Sequence, residues 1–241
     1  MKNARVYLQR ILFSFSLVAA AGILFTACKK DNGSSIPNTV SGLMAFNLAP
    51  DVSSLGFSLS GNNLTNNSLD FTNYTGTYLQ IYPGERTIES YDFATDSTIA
   101  SSTFNFETDN FFSLFLIGSK GVYQNLVVKD DFDSLSSASG QAYIRYVNAI
   151  PDSTAPTVTI SGSDSTGNNT VSPFGTVSPF TAVSPGDITI GASNESSVNI
   201  SRTFSVEGGK AYTALLLGDP ASSDSTTALQ IKYIENGTLS D

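Results

Sequence analysis

The sequence predicts an all-β protein that contains two tandem β-sandwich domains, and three observations lead to this fold class. Gly, Ser, Thr, Asn and Asp are abundant and long helix-forming stretches are absent, which favours short strands joined by turns. Apolar and polar side chains alternate with a period of two in several segments, as in half-buried strands. Four sequence blocks return in the same order about one hundred residues later, which indicates two copies of one domain.

The first segment, residues 1–27, has the order of a secretory signal peptide. Three basic residues within the first ten precede an uncharged apolar run at 11–25, and small residues follow. A signal anchor that remains in the membrane as a helix is the alternative interpretation. The single cysteine of the chain, Cys28, favours the signal peptide, because it stands directly after the small residues.

The motif "FTAC" that ends at Cys28 resembles the lipobox of bacterial lipoproteins, although Phe25 replaces the usual leucine. The resemblance implies signal cleavage between Ala27 and Cys28 and lipidation of Cys28. One acyl chain binds a membrane only marginally, whereas two or three hold a protein there stably. Lys29, rather than an aspartate, follows the cysteine, as in lipoproteins that leave the inner membrane. We therefore expect an outer-membrane lipid-anchored protein that faces either the cell surface or the periplasm.

The rest of the chain divides into a tether, two domains and a linker. Residues 28–39 form a polar, flexible tether with a random-coil reach of about 20 Å. The first β-sandwich is predicted at 40–133 and the second at 140–241. The short polar segment 134–139 is predicted to link them.

Each copy shows the same succession of strand patterns. The segment "SGLMAFNLAPD" at 41–51 returns as "GQAYIRYVNAIPD" at 140–152, and three further blocks pair 82–92 with 184–194, 102–119 with 202–219, and 125–131 with 229–236. Segments that follow Pro-Gly turns alternate in polarity and predict half-buried strands. "FFSLFLIGS" and "AYTALLLGD" are apolar runs that end near a glycine, and each predicts a strand buried on both faces. About seven short strands per hundred residues predict a two-sheet sandwich.

The second copy carries "RYVNAIPD", "SPGDITIGASN" and "RTFSVEGGKAYTALLLGD" in this order. This succession resembles the bacterial domain-of-unknown-function family 4397. The first copy keeps Ala49-Pro50-Asp51 and Pro83-Gly84, but Asp109-Asn110-Phe111-Phe112 replaces the Gly-x-x-Tyr-Thr start of a later strand. The resemblance implies tandem immunoglobulin-like or related sandwiches in envelope and secreted proteins, and it implies no established activity.

The sequence predicts no catalytic residues, no enzyme activity and no cofactor. Histidine is absent, which removes the commonest general base and the commonest metal ligand. A glycosidase needs two carboxylates that flank one sugar, whereas Glu107 and Glu207 recur once per copy. Glu107 with Asp109 remains the best candidate pair of carboxylates. A Ser-Lys pair that uses Lys120 or Lys210 has no supporting motif.

Two kinds of binding or modification site remain as candidates. Asp130, Asp131 and Asp133 cluster where the two copies meet and could bind calcium, which prefers oxygen ligands; a solvated acidic linker is the alternative. Several Asp-Ser-Thr triplets and one Asp-Ser-Leu triplet resemble a short O-glycosylation motif of some Gram-negative envelope proteins, although such loops also produce them by chance. The candidate serines are Ser97, Ser134, Ser153, Ser165 and Ser225.

The repeated Asn-x-x-Pro-Asp motif predicts a turn rather than a ligand-binding corner. It occurs at Asn47 to Asp51 and at Asn148 to Asp152. Proline fixes its own φ, and Asn or Asp side chains bind the neighbouring backbone in turns.

The charge and the anchor motif together indicate the class of function. The net charge is −9, and removal of the first 27 residues leaves 9 basic against 21 acidic residues, or −12. Such a charge repels nucleic acids, which we exclude as partners. We expect a non-catalytic, membrane-anchored envelope lipoprotein that acts as a surface binding or structural module, with a protein or glycan partner. The alternative is an accessory glycan-binding subunit of an outer-membrane uptake system, which requires an exposed aromatic platform.

Overall fold

The computed structural model describes residues 39–151, 154–162 and 165–239, without the side chains of 165–168. The predicted signal peptide, its cleavage site at Ala27 and Cys28, and the tether up to Asn38 lie outside the described residues. In the described ranges, no helix is long and apolar enough to cross a membrane. The described residues form sixteen strands and two short 3-10 turns, which confirms the predicted all-β fold class.

The first copy consists of eight strands in two four-stranded sheets. Its strands are β1 (Ser41–Asn47), β2 (Leu55–Leu59), β3 (Asn62–Asn63), β4 (Leu79–Ile81), β5 (Gly84–Asp92), β6 (Ser97–Phe106), β7 (Phe111–Ser119) and β8 (Val122–Asp130). The strand orders are β4-β1-β7-β8 and β3-β2-β5-β6. Strand β1 runs parallel to β7, with Gly42 opposite Phe111 and Asn47 opposite Leu116, whereas the other pairs are antiparallel.

The second copy repeats this topology strand for strand. Its strands are β9 (Ala142–Asn148), β10 (Thr157–Gly162), β11 (Ser165–Val171), β12 (Thr181–Val183), β13 (Gly186–Ser193), β14 (Asn199–Val206), β15 (Lys210–Leu217) and β16 (Gln230–Thr238). The strand orders are β12-β9-β15-β16 and β11-β10-β13-β14. Strand β9 again runs parallel to β15, with Ala211 opposite Tyr143 and Leu216 opposite Asn148. The tandem β-sandwich prediction is therefore confirmed.

Three apolar cores separate the four sheets. One core fills each sandwich, and a third, the central core, lies between the sheets β4-β1-β7-β8 and β12-β9-β15-β16, which we call the inner sheets. Its buried side chains are Met44, Phe46, Leu48, Phe115, Ile117, Val147, Ala149, Leu215, Leu217 and Ile234. Burial of one large apolar side chain contributes about 1.5–3 kcal/mol. The two copies are therefore packed against each other and not only linked by the chain.

The central strands β7 and β15 are buried on both faces, as their apolar sequences predict. In β7, Leu114 and Leu116 point into the core of the first sandwich, while Phe115 and Ile117 point into the central core. The packing of the two copies explains this pattern, because it covers the face of each inner sheet that would otherwise meet water.

The segment 131–141 between β8 and β9, which includes the predicted linker 134–139, is held against both copies. Short 3-10 turns occupy Phe132–Ser134 and Ser137–Ser139. The ring of Phe132 lies 5.7 Å from that of Phe111 in the first copy and 5.8 Å from that of Phe180 in the second. The Tyr143 hydroxyl donates to the carbonyl of Ser136 at 3.0 Å and accepts from its amide at 3.1 Å.

Candidate functional site

A buried ion pair joins the two inner sheets. Arg145 on β9 and Asp130 at the end of β8 are almost fully buried, with Arg145 Nη1 2.6 Å from Asp130 Oδ1. The contact between Nη1 and Oδ1 is electrostatic, because no described group donates a hydrogen bond to Oδ1. The guanidinium also lies 4.6 Å from the centre of the Phe180 ring, in cation–π contact.

Hydroxyl and amide groups from both copies complete this network. Asp130 Oδ2 accepts from the hydroxyls of Tyr78 at 2.6 Å and Ser113 at 2.7 Å. Arg145 donates through Nε to Thr213 at 2.9 Å and through Nη2 to Ser113 at 3.1 Å. Thr213 and Tyr78 are both bound to Asn236, at 2.6 Å and 3.2 Å. Buried charges are tolerated only when they are paired and hydrogen-bonded, and this pair meets both conditions.

The same surroundings affect the titration of Tyr78. Burial raises the pKa of the Tyr78 hydroxyl far above its ordinary value, and the negative charge of Asp130 raises it further. The phenol is therefore neutral over the whole physiological range and serves as a hydrogen-bond donor to Asp130.

The residues that form this network differ from their counterparts in the other copy. Strand registers make Met44 the counterpart of Arg145, since Met44 pairs with Ser113 as Arg145 pairs with Thr213. Tyr78 likewise corresponds to Phe180, because each residue precedes the edge strand of its inner sheet. The first copy supplies the anion Asp130 and the second copy supplies the cation Arg145. If both copies carried the same charge at these positions, the two charges would repel each other across the interface.

The structure assigns Asp130 to this network and not to a cation site with Asp131 and Asp133. Both carboxylate oxygens of Asp130 are engaged in the buried network, whereas Asp131 and Asp133 are exposed in the turn after β8. Across the described residues, no group of three acidic or cysteine side chains could hold a metal ion. The structure therefore does not bring the three aspartates together as one set of ligands, because Arg145 already neutralises Asp130. The calcium site stays a prediction.

A groove of about 520 Å³ lies where the two copies meet, next to this network. Aromatic and aliphatic side chains line it together with polar residues; they include Tyr78, Phe111, Phe132, Leu135, Asn236 and Leu239. Phe111 is 45% exposed, although its ring meets that of Tyr78 edge-on at 5.0 Å and lies tilted against that of Phe132 at 5.7 Å.

The two sandwiches also have an open cleft at equivalent edges. In the first copy a cleft of about 380 Å³ lies between β3 and β4, and in the second a cleft of about 390 Å³ lies between β11 and β12. The ring of Tyr82, at the rim of the first cleft, is 68% exposed, the most exposed aromatic side chain in the described part of the chain. This aromatic ring is the kind of platform on which the glycan-binding alternative depends.

The recurrent Asn residues have a structural role, in agreement with the turn interpretation. Asn47 is fully buried; its amide donates to the carbonyls of Val52 and Leu69 at 2.7 and 2.9 Å, and its Oδ1 accepts from Ala49 at 3.1 Å. Asn148 donates to the Ser172 carbonyl at 2.7 Å in the same way. Each asparagine therefore fastens a loop to the end of the first strand of its copy.

The carboxylates considered for catalysis lie at the surface, and two of them, Glu107 and Glu207, are in ion pairs. Glu107 contacts Lys129 at 2.8 Å, and Glu207 contacts Lys210 at 3.0 Å. Hydrogen bonds to Glu207 and Glu235 raise the pKa of the Lys210 ammonium, so even less of this lysine is in the neutral amine form that a general base requires at neutral pH.

The structure describes the side chains of three of the five O-glycosylation candidates. Ser97, Ser134 and Ser225 are exposed at or beside turns. Ser153 lies outside the described residues, and Ser165 starts β11 with its side chain outside the description. Two of these hydroxyls have local hydrogen bonds: that of Ser134 donates to the Asp131 carbonyl at 2.8 Å, and that of Ser97 accepts from Thr95 at 3.1 Å.

A known protein family matches both sandwiches. The family described as "Domain of unknown function (DUF4397)" matches residues 41–161 and 142–238. The chain belongs to the DUF4397 family. A search of curated proteins finds no match. The family resemblance and the tandem arrangement predicted from the sequence are thus both confirmed.

Sequence reasoning missed the ion pair and the aromatic cleft. One signal for the ion pair was available: "AYIRYVN" places a single cation in an otherwise strand-like segment, where "SGLMAFN" has Met44. The exposure of Tyr82 had no such signal, because a tyrosine before a Pro-Gly turn is as compatible with a core as with a surface.

Proposed function

We propose that this DUF4397 protein is a non-catalytic, lipid-anchored module of the cell envelope that serves as a binding or structural unit. The observation that carries the proposal is the central core with its buried Arg145–Asp130 pair. This interface holds two sandwiches as one body, so the relative positions of their loops and edges are fixed. A preorganised surface loses little conformational entropy when a partner binds.

The location of the protein follows from the sequence at Cys28. The lipobox-like motif and Lys29 support an anchor in the outer membrane, facing the cell surface or the periplasm. The tether would hold the first sandwich about 20 Å from the bilayer. The net charge of −12 after signal removal supports a protein or glycan partner and disfavours nucleic acid.

Membrane fractionation of a Cys28→Ser variant tests the anchor. We expect wild-type protein to incorporate labelled palmitate and to sediment with outer membranes, and we expect the variant to lose both properties. Ser34→Ala, a change in the tether, is the matched control and should behave as wild type. Membrane association that persists without acylation would contradict the proposal.

Protease treatment of intact cells decides which face of the membrane carries the sandwiches. Cleavage of the protein, with a periplasmic marker intact, would assign it to the cell surface. Protection until the outer membrane is permeabilised would assign it to the periplasm and direct the search for a partner to envelope complexes.

A second candidate function is an accessory glycan-binding subunit of an outer-membrane uptake system. The observation that favours it is the exposed Tyr82 ring beside a cleft of about 380 Å³. Aromatic rings with a free face and planar polar side chains nearby are suited to sugar recognition.

A further inference from the structure

The cleft at the edge of the first sandwich, which we call the Tyr82 cleft, combines an apolar floor with a polar rim. Leu59, Leu64 and Ile81 form the floor. The rim consists of Asn62, Asn63, Gln80, Tyr82 and Arg86. An apolar surface with a few convergent polar groups is the usual composition of a small-ligand site.

The polar groups of the rim are available to a ligand. Within the described part of the chain, the side-chain amides of Asn63 and Gln80 and the hydroxyl of Tyr82 make no hydrogen bond, and all three residues are largely exposed. Each amide can donate and accept at once, which suits hydroxyl groups that also do both.

Arg86 holds the residue that carries the exposed ring. Its Nε donates to the carbonyl of Tyr82 at 3.2 Å, and its Nη2 donates to the carbonyl of Pro83 at 3.0 Å. These bonds fix the backbone below the ring, while Nη1 has no hydrogen-bond partner among the residues that the structure describes. The ring is therefore presented on an ordered support.

The second copy shows that the fold does not require Gln80, Tyr82 or Arg86. By strand register, Ala182 is the counterpart of Gln80, and Ser184 is the counterpart of Tyr82. Among the described side chains, the equivalent cleft is lined by Tyr146, Ile160, Val177, Pro179, Val183 and short hydroxyl residues. Strand register also gives the second copy an asparagine at the Asn63 position, since Asn169 pairs with Thr159 as Asn63 pairs with Ser58. Gln80, Tyr82 and Arg86 therefore distinguish the first cleft from the second, and the shared topology does not explain their presence.

We infer that the Tyr82 cleft binds a neutral oligosaccharide. The ring of Tyr82 stacks on the apolar face of one sugar, and the amides of Asn63 and Gln80 bind its hydroxyls. The ligand is neutral because a chain with nine more acidic than basic residues repels anionic polymers. The inference rests on the glycan-binding candidate above and adds the site and the ligand class.

Binding of neutral hexasaccharides to the full-length acylated protein tests the inference. The protein is kept in a detergent without a sugar headgroup, and maltohexaose, cellohexaose and mannohexaose are titrated by calorimetry and saturation-transfer NMR. We expect at least one of them to bind with a dissociation constant below about 5 mM, a weak affinity typical of a small open site. Tyr82→Ser, which copies the second sandwich, should weaken binding about tenfold without changing Tm.

Two further variants make the result specific. Gln80→Ala, which also copies the second sandwich, should weaken binding severalfold. Val171→Ser removes an equally exposed apolar side chain from edge strand β11 and should leave binding unchanged. No binding of any hexasaccharide, or binding that Tyr82→Ser does not affect, would overturn the inference. Neither result would bear on the proposed membrane anchor, which the Cys28→Ser experiment tests separately.

Discussion

At the scale of single residues, Arg145 differs from its counterpart in the first copy both in charge and in hydrogen-bond partners. Met44 fills the corresponding position with an apolar side chain, whereas Arg145 carries a charge into the same central interface. Such a pair contributes little net stability compared with a well-packed apolar pair, but the loss of one partner leaves the other charge buried and unpaired. The stability of the interface therefore depends on the two residues jointly.

Arg145→Met should destabilise the protein by about 3–5 kcal/mol, because the Asp130 carboxylate would remain buried without a cation. The double variant Asp130→Asn with Arg145→Met should recover part of this loss, since no charge remains. Urea unfolding measures both. Lys129→Met, which breaks the exposed pair with Glu107, is the control and should cost far less. A double variant less stable than Arg145→Met would contradict this role of the ion pair.

Tyr78 should make the folded state sensitive to alkaline pH. In the unfolded chain the phenol ionises near pH 10, whereas burial and the adjacent Asp130 raise its pKa in the folded state. The folded state then binds the proton more tightly, so stability falls as pH rises above 10. Tyr78→Phe should reduce the slope of unfolding free energy against pH by up to about 1.4 kcal/mol per pH unit. Identical slopes for wild type and variant between pH 10 and 11.5 would contradict the assignment.

Residue-level prediction from the sequence succeeded where the determinants are local. The Asn-x-x-Pro-Asp motif specifies a turn through bonds to residues close in the chain, such as Asn47 to Ala49. The partners of Arg145 are distant in sequence and meet only because the two copies pack together, so strand patterns cannot reveal them. The burial of Asp130 could not be predicted for the same reason, since its cation Arg145 belongs to the other copy.

At the scale of elements, the hairpin that joins β7 to β8 depends on a glycine at the end of β7. Gly118 has φ of 120°, and a Cβ at this position would lie 2.1 Å from the carbonyl oxygen of Val122. Gly218 repeats the geometry at the end of β15, where a Cβ would lie 2.3 Å from the carbonyl oxygen of Ala228. The glycine that ends each apolar run is thus required by the backbone.

Gly118→Ala should destabilise the protein by about 2–4 kcal/mol, because it adds a backbone clash to an unfavourable φ. Gly237→Ala is the matched control: this glycine lies in edge strand β16, has no positive φ and has open space around its Cβ position. Its effect should stay within about 0.5 kcal/mol. Thermal and urea unfolding of the two variants measure the difference, and similar stabilities would show that the hairpin relaxes around the added methyl group.

The strands were the most predictable elements, and their partners were the least. Period-two alternation and Pro-Gly turns identify strands such as β5 and β13 from local sequence. The apolar run of β7 correctly predicts burial on both faces. The apolar run does not reveal what covers the second face of β7. Another layer of the same domain and a second copy of the domain would both require apolar side chains there.

At the scale of the whole molecule, the central core makes the two copies one cooperative unit. Ten buried side chains and the ion pair cross the interface between the inner sheets. Unfolding of either copy alone would expose its partner's half of this core to water, at about 25 cal/mol per Å² of apolar surface. Partial unfolding is therefore disfavoured relative to unfolding of both sandwiches together.

Calorimetry of the full-length protein should accordingly show a single transition, with a van't Hoff enthalpy close to the calorimetric one. The excised second copy, residues 140–241, would expose Val147, Leu215, Leu217 and Ile234 on one sheet face, so we expect it to self-associate or to lose stability. Lysine substitutions at Leu215 and Leu217 should abolish its self-association, because they place charges on that face. Two well-separated transitions in the full-length protein, together with a stable monomeric second copy, would show that the sandwiches fold independently.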